Sequence, residues 1–135
     1  MANDLCPVVT LNDLLEHLRV DRFEGSNLAL YEGPHIPNAA DTLSTYTAIE
    51  TSFGGYARQS LAGWSSSAQA GTAEYTTSPF ATFSPSATPG THTVTGYFVV
   101  LADGQLGPAG QLAGSIAVAA STPFSMVVKI TLQNG

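Results

Sequence analysis

The stretch from Phe124 to Gln133, "FSMVVKITLQ", decides the fold class. Phe124, Met126, Val128, Ile130 and Leu132 alternate with Ser125, Val127, Lys129 and Thr131. Successive side chains of a strand point to opposite faces, so this period of two lays one continuous apolar face on a core. Upstream, from Gly25 onward, short alternating runs are broken by Gly and Pro in the same way, which is the pattern of an antiparallel β-sandwich or barrel. The runs predict strands near Asn27–Tyr31, Thr42–Thr51, Ala57–Trp64, Ala73–Phe83, Thr91–Ala102, Gly114–Ala119 and Phe124–Gln133. Between them, "YEGPHIPNAAD" and "SPSATPG" carry the punctuation of surface loops, and "ADGQLGPAG" holds an Asp-Gly turn signal.

One segment departs from that pattern. In "TLNDLLEHLRVD", Leu11, Leu14, Leu15 and Leu18 follow the i, i+3, i+4, i+7 spacing of one helical face, and Thr10 with Asp13 has the form of a capping box. A helix is expected from Leu11 to Val20, with a leucine stripe that must bury against this domain or a neighbour. The expected organisation is an N-terminal arm and helix over 1–24 and one β domain over 25–135. The fold class is therefore mainly β: a single antiparallel β-sandwich of jelly-roll or Ig-like type with one short N-terminal amphipathic helix. A chain of 135 residues suits one compact domain.

Charge is scarce and unevenly placed. Charged residues make up 10% of the chain, against about 25% in ordinary soluble domains, and after Arg58 only Glu74, Asp103 and Lys129 remain. Such a surface can meet another protein without stripping water from ions. A net charge of −6 argues against a nucleic-acid partner, since phosphate backbones are bound by clustered Lys and Arg. No apolar run reaches the roughly 20 residues of a membrane span, and "MANDLCPVV" lacks the basic and apolar regions of a secretion signal. No membrane partner and synthesis in the cytoplasm are expected. The lone Cys6 permits no internal disulfide and reads as a small buried hydrophobe.

Catalytic chemistry finds little support. His17, His35 and His92 show no ligand spacing with one another, so no metal and no cofactor are expected. Glu50, Glu74 and Asp103 are the best acid–base candidates, yet none has a sequence neighbour that would split the pKa values of a pair. There is no Gly-x-Ser-x-Gly elbow, and "SFGG" lacks the Gly-Lys-Ser/Thr ending of a phosphate loop. In "SFGGYARQSLAGW", Phe53, Tyr56 and Trp64 read as packing rings, with a sugar-stacking platform as the other reading. Trp64 and Tyr97 are the rings most expected in the core. Arg58, the only charge of that segment, is placed to pair with Glu50, a contact worth at most about 1 kcal/mol if exposed.

Beside these readings, "YTAIETSFGGYARQSLAGW", then "HTVTGYFVVLADGQL" and the closing alternating strand, resembles small virion-associated structural proteins of tailed bacteriophages. The matching positions are Glu50, Phe53, Gly55, Tyr56, Trp64, Gly96, Tyr97, Phe98 and Val99, and the resemblance spans Asn27 to the C-terminus. It implies a non-enzymatic component of the particle, a capsid decoration or head-fibre protein or a tail accessory protein. Partners would be the major capsid protein or other virion proteins, with the chain a homo-oligomer, a trimer favoured, and the virion its location after assembly in the host cytoplasm. Leu11, Leu14, Leu15 and Leu18 would dock it, while Phe53, Gly55, Tyr56, Trp64, Gly96 and Tyr97 form its framework. The alternative is a tail-associated receptor- or glycan-binding module.

Overall fold

The computed structural model describes Leu15, residues 22–65, 68–70 and 73–133. In chain order the elements are β1 (Asn27–Glu32), α1 (Leu43–Thr47), β2 (Gln59–Ser60), β3 (Ala68–Ala70), β4 (Ala73–Thr77), β5 (Ala81–Phe83), β6 (Thr93–Val100), β7 (Leu106–Ala117), β8 (Phe124–Met126) and β9 (Lys129–Gln133). They pair antiparallel in three open sheets, ordered β2-β1-β6-β7, β3-β4-β9 and β5-β8. The protein is mainly β, as its alternating runs predict, and among the described residues none of the sheets closes on itself.

β1 and β6 pair along nearly their whole length and are buried on both faces. On one face Leu28, Leu30, Val94 and Val99 join the main core with Phe53, Leu61, Trp64 and Phe83. On the other, Ala29, Tyr31, Phe98 and Val100 form a second core closed by Tyr46, with Leu43 and Ile49 packed against it. This second core explains why Thr42–Thr51 is not the strand its sequence predicts. The stretch Thr42–Thr51 is rich in Thr and suits a strand locally, but its apolar residues Leu43, Tyr46 and Ile49 recur every third position and cover the sheet from the short helix α1 and the turn after it. The Thr45 hydroxyl accepts the Thr42 N–H at its start. The end of the stretch lies against β1, with Glu50 opposite Tyr31: the Ile49 carbonyl accepts the Glu32 N–H and the Thr51 N–H donates to the Leu30 carbonyl.

Two of the longer predicted strands are each interrupted, and at the same place. Ala73–Phe83 divides into β4 and β5, and Phe124–Gln133 into β9 and β8, so that one antiparallel ribbon runs across two sheets. Thr77 pairs with Lys129 before the break and Ala81 with Met126 after it, leaving Ser78, Pro79 and Phe80 opposite Val127 and Val128. One strand thus carries an extra residue, the definition of a bulge, and Pro79 can donate no ladder hydrogen bond there. Ser78 repairs the gap: its N–H donates to the Val128 carbonyl at 2.8 Å and its hydroxyl accepts the Val128 N–H at 2.9 Å. Phe124, Met126, Val128 and Ile130 remain on the core side throughout.

Two further strands change length. Ala57–Trp64 contracts to Gln59–Ser60, because Leu61 and Trp64 bury as loop residues. Gly114–Ala119 becomes the longer β7, which starts just beyond the predicted Asp103-Gly104 turn. Gly104 holds a φ of +86° and donates its N–H to the Leu101 carbonyl, which fastens the β6–β7 hairpin.

Candidate functional site

The framework residues are mostly placed in or against the core. Phe53 and Trp64 are 2% and 5% exposed, with Trp64 5.3 Å from Phe23 between ring centres. Tyr56 stacks on Phe83. The Gly54-Gly55 pair turns against the loop formed by "SPSATPG": Gly54 accepts the Ser86 N–H and donates to the Pro89 carbonyl, and Gly55 has a φ of +88° with Ser84 and Ser86 backbone where a Cβ would lie. Gly96 and Tyr97 each belong to a ring-over-glycine pair. Tyr31 lies over Gly96, its direct cross-strand partner, and Tyr97 lies over Gly110, its own. Tyr97 is half-buried against the main core rather than inside it. Of the leucine stripe, Leu15 is helical and fully buried within this chain; Leu11, Leu14 and Leu18, like Cys6, lie outside the described residues.

Three carboxylates cluster their partners around the second core and the end of β1. Asp41 Oδ2 accepts the Tyr46 hydroxyl at 2.6 Å, the Asn38 N–H at 2.9 Å and the His35 ring at 2.9 Å. Those bonds, the tyrosine's first, hold its carboxyl down at about 2. Burial and then Asp41 push the Tyr46 hydroxyl well above the usual phenol range. Glu50 takes Arg58 through two bonds of 2.8 and 2.9 Å and the Tyr56 hydroxyl at 2.6 Å. Burial alone would raise its pKa, but these partners outweigh burial and lower it. The predicted Arg58–Glu50 pair therefore forms, and Arg58 also covers the Phe98 ring at 5.7 Å. Glu32 is arranged similarly: Thr51 donates at 2.6 Å, the His92 ring lies at 2.7 Å, and together they hold its pKa down against burial.

These clusters are built to hold backbone together. Each carboxylate gathers several donors and is kept ionised, which suits a bracket: Asp41 and Glu50 fasten the loop in which they lie, and Glu32 joins Thr51 and His92 from separate segments. A general acid requires a raised pKa, and all three are lowered. Spacing gave no hint of Glu32 and His92, which are 60 residues apart and meet only because β1 pairs with β6. Asp103 pairs with Arg22 at 3.2 Å. Among the described residues, no group of three or more His, Cys, Asp or Glu side chains converges as a metal site, and no helix is long and apolar enough to cross a membrane.

An open apolar feature lies on the other face of the sheet. Leu28, Tyr97 and Leu112, from β1, β6 and β7, face the β8–β9 junction from Met126 to Lys129 across a half-open cavity of about 280 Å³. Burial raises the Tyr97 hydroxyl's pKa, so it stays protonated. At the bulge two apolar side chains are exposed: Phe80 is 77% exposed and Val127, which also lines the cavity, 41%. Around them Thr82 and Ser125 hydrogen-bond each other at 2.8 Å on the outer face of the ribbon. From Gly104 to Val128 the sequence carries no charged residue or histidine. The arrangement offers a hydrophobic, hydroxyl-rimmed contact surface. Sequence patterning missed it because Phe80 reads there as part of one long strand; the visible signal was Pro79, which cannot sit inside a paired strand.

Compared with known protein families, with curated proteins and with solved structures, the chain matches none of them.

Proposed function

We propose that this chain is a non-enzymatic structural protein of a tailed-phage particle, bound to the capsid surface as a decoration or head-fibre protein. In this reading its sheets act as two layers of a sandwich, and copies associate with one another and with the major capsid protein or other virion proteins after synthesis in the host cytoplasm. The observation that carries the reading is the contrast between its polar and apolar features. Glu32, Asp41 and Glu50 are spent on holding loops, whereas Phe80 and Val127 stand exposed in a run without charge. Exposed apolar groups on an uncharged surface favour contact with another protein. Many weak contacts of that kind, repeated over a lattice, add through avidity.

The buried Phe53 and Trp64 leave those two rings out of any sugar-stacking platform. Gold labelling of purified particles tests the proposal: regular labelling over the head is expected. Labelling confined to the tail tip would transfer the protein to adsorption, and particles without label would overturn the proposal.

A further inference from the structure

The lining of the half-open cavity grades from exposed to buried. Lys129 is exposed, Tyr97, Leu112 and Met126 are half-buried, and Leu28 and Val128 are buried. The cavity sits at the break in the ribbon, where Val127 and Val128 fall outside both ladders. One polar group of the lining is uncommitted. Tyr31, Tyr46 and Tyr56 donate their hydroxyls to the His35 carbonyl, Asp41 and Glu50 respectively, as buried tyrosines usually find a partner. The Tyr97 ring lies over Gly110 of the edge strand β7, and among the described residues its hydroxyl has no hydrogen-bond partner. Burial keeps that hydroxyl protonated, so it remains a donor.

We propose that this cavity binds a small neutral molecule, an aryl or alkyl body carrying one carbonyl or ether oxygen that accepts the Tyr97 hydroxyl. Volume sets its size. Benzene fills an apolar cavity of about 150 Å³, so the space of about 280 Å³ here takes a body of roughly ten non-hydrogen atoms. Charge sets its type. Lys129, the one charged residue of the lining, repels a cation and already has an interaction of its own within the chain. A carboxylate would have to shed its water beside Leu28, Leu112 and Val128, in a chain of net charge −6. A neutral acceptor meets neither cost and gives the Tyr97 hydroxyl the partner it lacks. The site stands apart from any role on a particle, so its loss would leave the capsid reading untouched.

Methyl NMR of the full chain, labelled at its methionines, tests this, because Met126 is one of only two and lines the cavity. Propiophenone, a ketone of the right size, should move the Met126 methyl signal with a Kd of about 1 mM. Tyr97→Phe removes only the hydroxyl, which has no partner in the chain to lose, so it should unfold at an unchanged temperature. It should nevertheless bind the ketone about 5-fold more weakly, the loss expected for one neutral hydrogen bond. 3-Phenylpropanoate and 3-phenylpropylammonium, which add a charge to a body of like size, should bind at least about 10-fold more weakly than the ketone. A Met126 signal that stays still at about 10 mM propiophenone, equal affinity in wild type and Tyr97→Phe, or a charged homologue that binds as tightly as the ketone would each overturn the proposal.

Discussion

Gly96 is chosen by the residue across from it. The Tyr31 ring lies over it in the β1–β6 pair, where a Cβ would run into the ring. Tyr97 covers Gly110 in the same manner one strand further on. Gly96→Ala should therefore cost about 1–3 kcal/mol, the usual penalty for overpacking. Gly114→Ala, with nothing within 4 Å of the added carbon, should stay within about 0.5 kcal/mol of wild type. Urea unfolding of the two variants checks the contrast, and equal losses would remove the special role of the Tyr31 ring. The segment "TGYFVV" was legible as a strand, yet nothing in it told which glycine would lie beneath which ring.

A single serine joins the two halves of the β4/β5 and β8/β9 ribbon. Pro79 interrupts the ladder, and the Ser78 hydroxyl takes the Val128 N–H that the bulge would otherwise leave buried and unpaired. Ser78→Ala should cost about 1–3 kcal/mol, the penalty of an unsatisfied buried donor. Amide exchange at Val128 should speed up well before exchange in β1. Equal protection of Val128 in the variant and wild type would show that another acceptor serves it. The period of two in "FSMVVKITLQ" survived the break because the core side is kept across it. The helix α1 was hidden because its threonines favour strands locally, whereas the decisive demand, a cover for Tyr31 and Phe98, comes from distant strands.

Across the whole molecule, three lowered carboxylate pKa values make stability depend on acid. Asp41 ionises at about 2 when folded against an ordinary 3.8, and Glu32 and Glu50 also lie below their ordinary 4.5. In that interval the unfolded chain binds more protons than the folded one, so stability rises with pH. The contribution is complete above the ordinary values and is lost as pH falls through the folded ones. Thermal unfolding followed by circular dichroism should show a steep fall in Tm between about pH 5 and about pH 2. In Asp41→Asn the Tm should already be lower at neutral pH and fall less steeply between 3.8 and about 2. A parallel acid profile in the variant would mean that Asp41 is not a bracket for His35, Asn38 and Tyr46.

By itself the sequence determined what is local. Alternation marked the β class, Asp103-Gly104 marked a hairpin turn, and the shortage of charge after Arg58 marked an uncharged surface. Even the Arg58–Glu50 pair was legible, since eight residues and a turn separate its members. Tertiary structure alone decided which strands are neighbours, and with that the two-sided burial of β1 and β6, the Glu32–His92 contact and the cavity between the sheet and the β8–β9 junction. The physical reason is range: side-chain period and turn chemistry act over a few residues. Strand pairing and the shared bulge balance forces between segments 50 or more residues apart.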